Sequence, residues 1–334
     1  MLKAGHSSIA VTLPKPWAEA MHLRPGDLVV FDQNDDGTLY LKPAPAPGVG
    51  SVSSPYLVQA ASFDTPGVLE RLVVGAYRVG HDAIEIRSEA AIAPERVEEL
   101  LQAARGLLGV SVVSQEPNRV VLQNFIDPSK YGLPQLVQRM KMILVAFIEE
   151  AEGLLADGGR SRRLSTLREE SSKVLALLIR QLFLASRDWS LARRIGSPDP
   201  RHLLEWRVVV HALNEMGGLL ANVTERVQGA ADAPVVWEGL QPLLAELKEN
   251  LQGVVDALMH PSLGDACEMF ASSHHLAEAA RQSAQSLKAA ARKSGLYPAT
   301  ADLERTAVSL TAIAEVALDR AVSMGTENVL LTAT

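Results

Sequence analysis

Residues 13–30 read LPKPWAEAMHLRPGDLVV, followed by DDG at 35–37 and TLYLKP at 38–43. Ile9, Val11 and Leu13 lead into this stretch and alternate with the period of a half-buried strand. Pro14 and Pro16 end that strand. Proline sits at no cost in a first helical turn, where its missing N–H would have had no partner. Trp17, Ala20 and Met21 then fall at helical spacing, and the helix must stop before Pro25-Gly26, a turn pair in which glycine takes positive φ. Leu28–Phe31 reads as a strand, Asp36-Gly37 as a hairpin signal, and Leu39 with Leu41 as one face of the returning strand. Strand, helix, strand, turn and strand thus share Met1–Pro43 with too few apolar side chains to close a core alone. The expectation is half of a structure that a second copy completes, and the commonest use of such a device is gripping DNA as a dimer.

Outward from this stretch, Ala44–Ser54 (APAPGVGSVSS) is a Pro/Gly/Ser linker, stiff at first and then flexible. The chain has 334 residues with 47% apolar content, room for two or three domains. Aromatic residues are few (four Trp, six Phe, five Tyr) while Ala and Leu are abundant, which favours packed helices over sheets. A net charge of -7 excludes a protein that coats nucleic acid over its whole surface, though a local basic patch is compatible with it. Cys267 is the only cysteine, which excludes an intrachain disulfide and a thiolate metal cluster. Beside Met269 and Phe270 it reads as a packed side chain. The opening residues lack the apolar run of a signal peptide, and nothing approaches the roughly 20 apolar residues of a membrane span. The expected location is cytoplasmic, without membrane insertion.

Residues 55–127 read as a small α/β unit. Short strand-like runs (Tyr56–Ala60, Ala83–Arg87, Val110–Ser114, Arg119–Phe125) alternate with helical segments near Gly67–Val79 and Pro94–Leu107, and a hairpin is expected around Pro117-Asn118. From 128 onward every segment looks helical. Leu133, Leu136, Val137, Met140, Leu144 and Phe147 make one broad apolar stripe; Val209, Leu213, Met216, Leu220 and Val227 make another. Breaks at Asp157–Gly159, Ser197–Pro200, Gly229–Pro234, His260-Pro261 and Gly295–Pro298 delimit six helices. They form two expected three-helix bundles, 128–229 and 230–334. The fold class is therefore multidomain α+β, with domains 1–43, 55–127, 128–229 and 230–334 and a linker at 44–54.

Two stretches carry resemblances. Ser7–Asp27 (SSIAVTLPKPWAEAMHLRPGD) with Asp36–Pro43 (DGTLYLKP) resembles the swapped-hairpin DNA-binding fold shared by AbrB, SpoVT and MazE. LREESSKVLALLIRQL at 167–182 and LEWRVVVHALNEMGGLLANVTERV at 204–227 look like PhoU, the phosphate-uptake regulator built from two three-helix bundles. The order of these parts is similar to archaeal phosphate uptake regulators. The resemblance implies a swapped-hairpin β-barrel half at the N-terminus and a dimeric DNA-binding transcriptional regulator of phosphate-transport genes. It also implies a rival role, an adaptor docking on a phosphate transporter ATPase or sensor kinase without touching DNA.

Gripping DNA requires cations that reach phosphates from both halves of a dimer. Lys3, Lys15, Arg24 and Lys42 are available, with His6, Ser7 and Ser8 as hydrogen-bond donors. By the resemblance the first strand and the following loop meet DNA, which places Lys3, His6, Ser7, Ser8 and Lys15 on the active face. PhoU proteins also hold iron or zinc through carboxylates four residues apart, joined by an Asp-His pair. Here Arg168 and Ser172 stand at the paired positions, with Glu169 and Glu170 between them, and Gly218-Leu219 replaces the Asp-His pair. Glu315 and Asp319 remain as candidates in the second bundle, with Glu278 near His274 and His275. His211 and Glu215 read as a solvated pair, and Gly217-Gly218 as a site of close helix packing. Asp64–Leu69 resembles the effector-binding opening of ACT domains, or simply a tight turn capped by Asp64. GxSxG, P-loop and HExxH motifs are absent, so a non-enzymatic role is expected.

Overall fold

The computed structural model describes residues 2–3, 9–10, 12–33, 39–43, 55–60, 65–157, 159–228 and 234–324. They form two units, Met1–Ser54 and Pro55–Thr334.

In the first unit, β1 (Leu2–Lys3) pairs antiparallel with β2 (Ile9–Ala10). β1 is too short to show alternation, which is why the sequence does not announce it. Helix α1 (Lys15–Ala20) starts after Pro14 as expected, and Pro16 lies in its first turn. Its end is a Schellman closure: Leu23 N–H donates to Ala18 O at 2.9 Å and His22 N–H to Glu19 O at 3.0 Å. His22 takes the left-handed position, φ 53°, and Gly26 follows at φ 99°. Then β3 (Val29–Gln33) pairs antiparallel with β4 (Leu39–Pro43), setting Phe31 opposite Leu41 and Gln33 opposite Leu39. The expected Asp36-Gly37 turn lies outside the described residues.

The second unit opens with β5 (Tyr56–Gln59), α2 (Val68–Arg78), β6 (Ala83–Arg87), α3 (Pro94–Arg105), β7 (Val110–Glu116) and β8 (Arg119–Asn124). The sheet order is β5-β6-β8-β7; β5 and β6 are parallel, the other pairs antiparallel. A parallel neighbour needs a crossover, and α2 supplies it. Helix α2 begins at Gly67, φ 82°, and the N–H of Glu70 in its first turn finds its acceptor on α3, Glu99 Oε1 at 3.0 Å. Asp64, expected as the cap, lies outside the described residues.

After a 3-10 turn at Pro128–Lys130 come α4 (Leu133–Asp157), α5 (Leu164–Ala185), α6 (Trp189–Arg194), α7 (Pro200–Val227), α8 (Pro234–Met259), α9 (Leu263–Ser286), α10 (Lys288–Lys293) and α11 (Tyr297–Met324). The six long helices fall between the expected breaks. The short α6 is an addition, capped by Asp188, whose side chain accepts from Ser190 N–H and Leu191 N–H. Helices α4, α5 and α7 pack on one another, as do α8, α9 and α11, while α7–α11 and α4–α8 contacts join the triplets. One continuous apolar core runs through all six, and it contains both stripes read from the sequence.

Contacts also cross residue 127. Ala176 of α5 belongs to the core of the small sheet, and Arg180, 2% exposed, reaches the C-terminal end of α2. Its Nη1 donates to Tyr77 O at 2.6 Å and His81 O at 2.9 Å, and Nη2 pairs with Asp82. A cation among the last carbonyls of a helix also complements the helix dipole. Tyr77 is sealed beneath, its hydroxyl donating to Leu108 O at 3.1 Å. Burial pushes its pKa up to about 12. The reading of Cys267 is corrected: on α9 its position turns outward and the residue is exposed.

Candidate nucleic-acid interface

In the N-terminal unit, no described side chain is buried. Leu28 is 74% exposed, Phe31 63% and Leu39 66%; Leu13, Met21 and Val30 are exposed as well. Exposed apolar residues lie on both faces of the ribbon. Phe31 and Leu39 share one face of the β3–β4 ribbon through the register Phe31↔Leu41 and Gln33↔Leu39, while Val30 lies on the other. A two-stranded ribbon has no second layer of its own, so its apolar residues stay in water until another surface covers them. Covering one such large side chain contributes about 1.5–3 kcal/mol.

Of the candidate DNA contacts, the side chains of Lys15 and Arg24 are described. Lys15 opens α1 with its side chain 87% exposed, 3.7 Å from Glu19 Oε1. An exposed pair of this kind contributes about 0–1 kcal/mol, too little to withhold Lys15 from a phosphate. Arg24 is exposed in the turn after α1, where its backbone N–H donates to Asp27 Oδ2 at 2.7 Å. That bond leaves the guanidinium uncommitted to the turn. Lys3 lies in β1. His6, Ser7 and Ser8 lie outside the described residues, as do the side chains of Lys3 and Lys42. The sequence named the cations of this unit but did not mark Leu28 or Phe31 as exposed apolar positions. The run of four apolar residues at 28–31 was the signal available.

The carboxylates considered for a metal do not converge. Glu169 pairs with Lys173 on the same helix, and Glu170 stands beside it on α5; Glu315 and Asp319 are exposed on α11. Glu315 lies 4.0 Å from His274 Nε2, and His275 Nδ1 is 3.8 Å from Glu246 Oε1. Glu278 accepts from Arg281 and Gln282. Among the described residues no three His, Cys, Asp or Glu side chains come together. Arg168, Ser172 and Gly218 do share a cavity of about 350 Å³ between α5 and α7, with Ser171, Asn214 and Asn222. Arg168 donates there to Ala221 O at 3.2 Å and to Glu225 Oε2 at 2.6 Å. A guanidinium, hydroxyls and amides are not a donor set for iron or zinc, so the residues present do not fit the implied metal. Glu215 is not a solvated partner of His211: it accepts from Ser309 Oγ and Arg305 Nη2, both at 2.9 Å, and ties α7 to α11. Those bonds, that of Ser309 foremost, hold its carboxyl below the usual range.

The first unit thus combines an exposed apolar ribbon, a helix with a Schellman end and solvated cations, with no buried side chain among the described residues. Residues 3–48 match the family model described as antidote-toxin recognition MazE, bacterial antitoxin. The N-terminal segment is thus a MazE/AbrB-type domain. No curated protein and no solved structure matches the chain. No helix among the described residues is long and apolar enough to cross a membrane.

Proposed function

We propose that this protein is a homodimeric, DNA-binding transcriptional regulator. Two N-terminal units bury the Phe31–Leu39 face against each other, and Lys15 and Arg24, with Lys3, His6, Ser7 and Ser8, meet the phosphates. The exposure of that face in a segment matched to a MazE-type family carries this reading. Magnitudes assign the two roles: apolar burial supplies the association, and solvated cations supply the grip on DNA. The helical unit is the regulatory part, and the resemblance of 167–182 and 204–227 to PhoU supports phosphate uptake as the regulated process.

A gel-shift titration across a salt series tests it. Affinity should fall steeply with salt, and Lys15→Ala should weaken binding on every sequence while flattening the salt slope by about one phosphate contact per subunit. Salt-independent or absent binding removes the DNA-binding reading and leaves an adaptor. The matched family's name supports a second use of the same face, recognition of a toxin protein. In that case the chain alone would sediment as a monomer.

A further inference from the structure

A cavity of about 880 Å³ in the helical unit opens between the start of α4, the start of α7 and the ends of α8 and α11. That volume suits a small organic ligand. Pro134, Met142, Leu258 and Met259 give it an apolar wall. Among the described residues its charged lining is Arg139 and Arg320, with His202 and His260 and without Asp or Glu, although Arg320 is paired from behind with Glu205. In a chain of net charge -7 such a lining is not a sample of the general surface.

Two of the lining residues carry hydrogen-bond donors without a partner among the described residues. Trp206, 1% exposed, has its indole Nε1–H buried without a partner; Arg320, 7% exposed, has Nη2 buried without one. They lie together, the Arg320 guanidinium 4.1 Å above the Trp206 ring, held there by a 2.7 Å bond from Nε to Glu205 Oε2. Buried donors are nearly always paired, and these two, on side chains that line one cavity, lack an acceptor among the described residues. A fork-shaped donor next to an apolar wall is suited to a carboxylate on an aliphatic or aryl body. We propose that this cavity binds a small amphipathic carboxylate, with the carboxylate at Arg320 and Trp206 and the apolar part along Met142, Leu258 and Met259. This site is independent of the DNA-binding reading.

Isothermal titration of the full chain with octanoate, octanol and octylamine tests the proposal. Octanoate should bind at one site, and octanol at least about 10-fold more weakly. Arg139→Glu and Met142→Glu, at exposed positions that do not endanger folding, should each weaken octanoate about 10-fold by setting a negative charge against it. Trp206→Phe keeps the ring beneath Arg320 but removes the indole donor, and should weaken octanoate several-fold without altering octanol. Equal affinities for octanoate and octanol, octanoate binding that survives Arg139→Glu and Trp206→Phe, or no heat of binding up to about 5 mM would each overturn it.

Discussion

His22 sits at φ 53°, where a side chain crowds its own carbonyl, because the Schellman closure of α1 requires a left-handed residue there. His22→Gly should therefore stabilise the N-terminal unit by about 0.5–1 kcal/mol, read as a raised midpoint in thermal unfolding. Asp199 shows the opposite economy of a well-chosen cap. Its carboxylate accepts from the Arg201 side chain and the Arg201 N–H, and these hydrogen bonds bring its pKa from 3.8 down to about 2. A folded-state value below the unfolded one means that its contribution is complete above pH 3.8 and is lost as pH falls towards about 2. Asp199→Ala should cost about 1 kcal/mol at neutral pH, and Asp199→Asn should retain most of the cap while removing that acid-side loss. Urea unfolding of the three proteins at pH 7 and pH 3 checks both statements. The Ser197–Pro200 break is plain in the sequence, because Pro200 and Asp199 are local signals. The strain at His22 is not, since no residue type there advertises a left-handed backbone.

Elements were legible wherever one period persisted. The stripes of α4 and α7 are buried along their length, and the α/β elements of 55–127 stand within a few residues of their expected places. Short pieces with only a turn's worth of pattern, β1 and α6, were not. Contacts between elements were legible least, because side-chain periodicity gives a face but not its partner. Gly217-Gly218 illustrates this. A Cβ at Gly217 would come within 3.0 Å of Ser171 Oγ and 3.1 Å of Met140 Cε, whereas one at Gly218 would meet nothing within 4 Å. The close packing expected of the pair belongs to Gly217 alone, and Gly218 lines the cavity beside Arg168. Gly218→Ala should stabilise α7 by up to about 1 kcal/mol through helix propensity. Gly217→Ala should instead destabilise by about 1 kcal/mol as Met140 and Ser171 are displaced. The pair of melting temperatures, moving in opposite directions, is the check.

For the molecule as a whole, the decisive asymmetry is between a helical unit with a continuous core and an N-terminal unit without a buried described side chain. The reading of the N-terminal stretch as half a structure agrees with that exposure and with the family match at 3–48. The proposed DNA contacts are readable as residue types, not as a surface, because which cations would lie together depends on how two copies would meet. Phe31→Lys should convert a dimer into a monomer by sedimentation velocity and abolish DNA binding even though it adds a positive charge. Retained DNA affinity in a monomeric variant would separate the two activities.

The guanidinium that α5 extends to the last carbonyls of α2 has a practical consequence for anyone dissecting this chain. A fragment starting near residue 128 would present a stranded cation and a bare patch around Ala176, and it should aggregate during purification. The cut that respects the molecule falls at the proline-rich tether before Pro55.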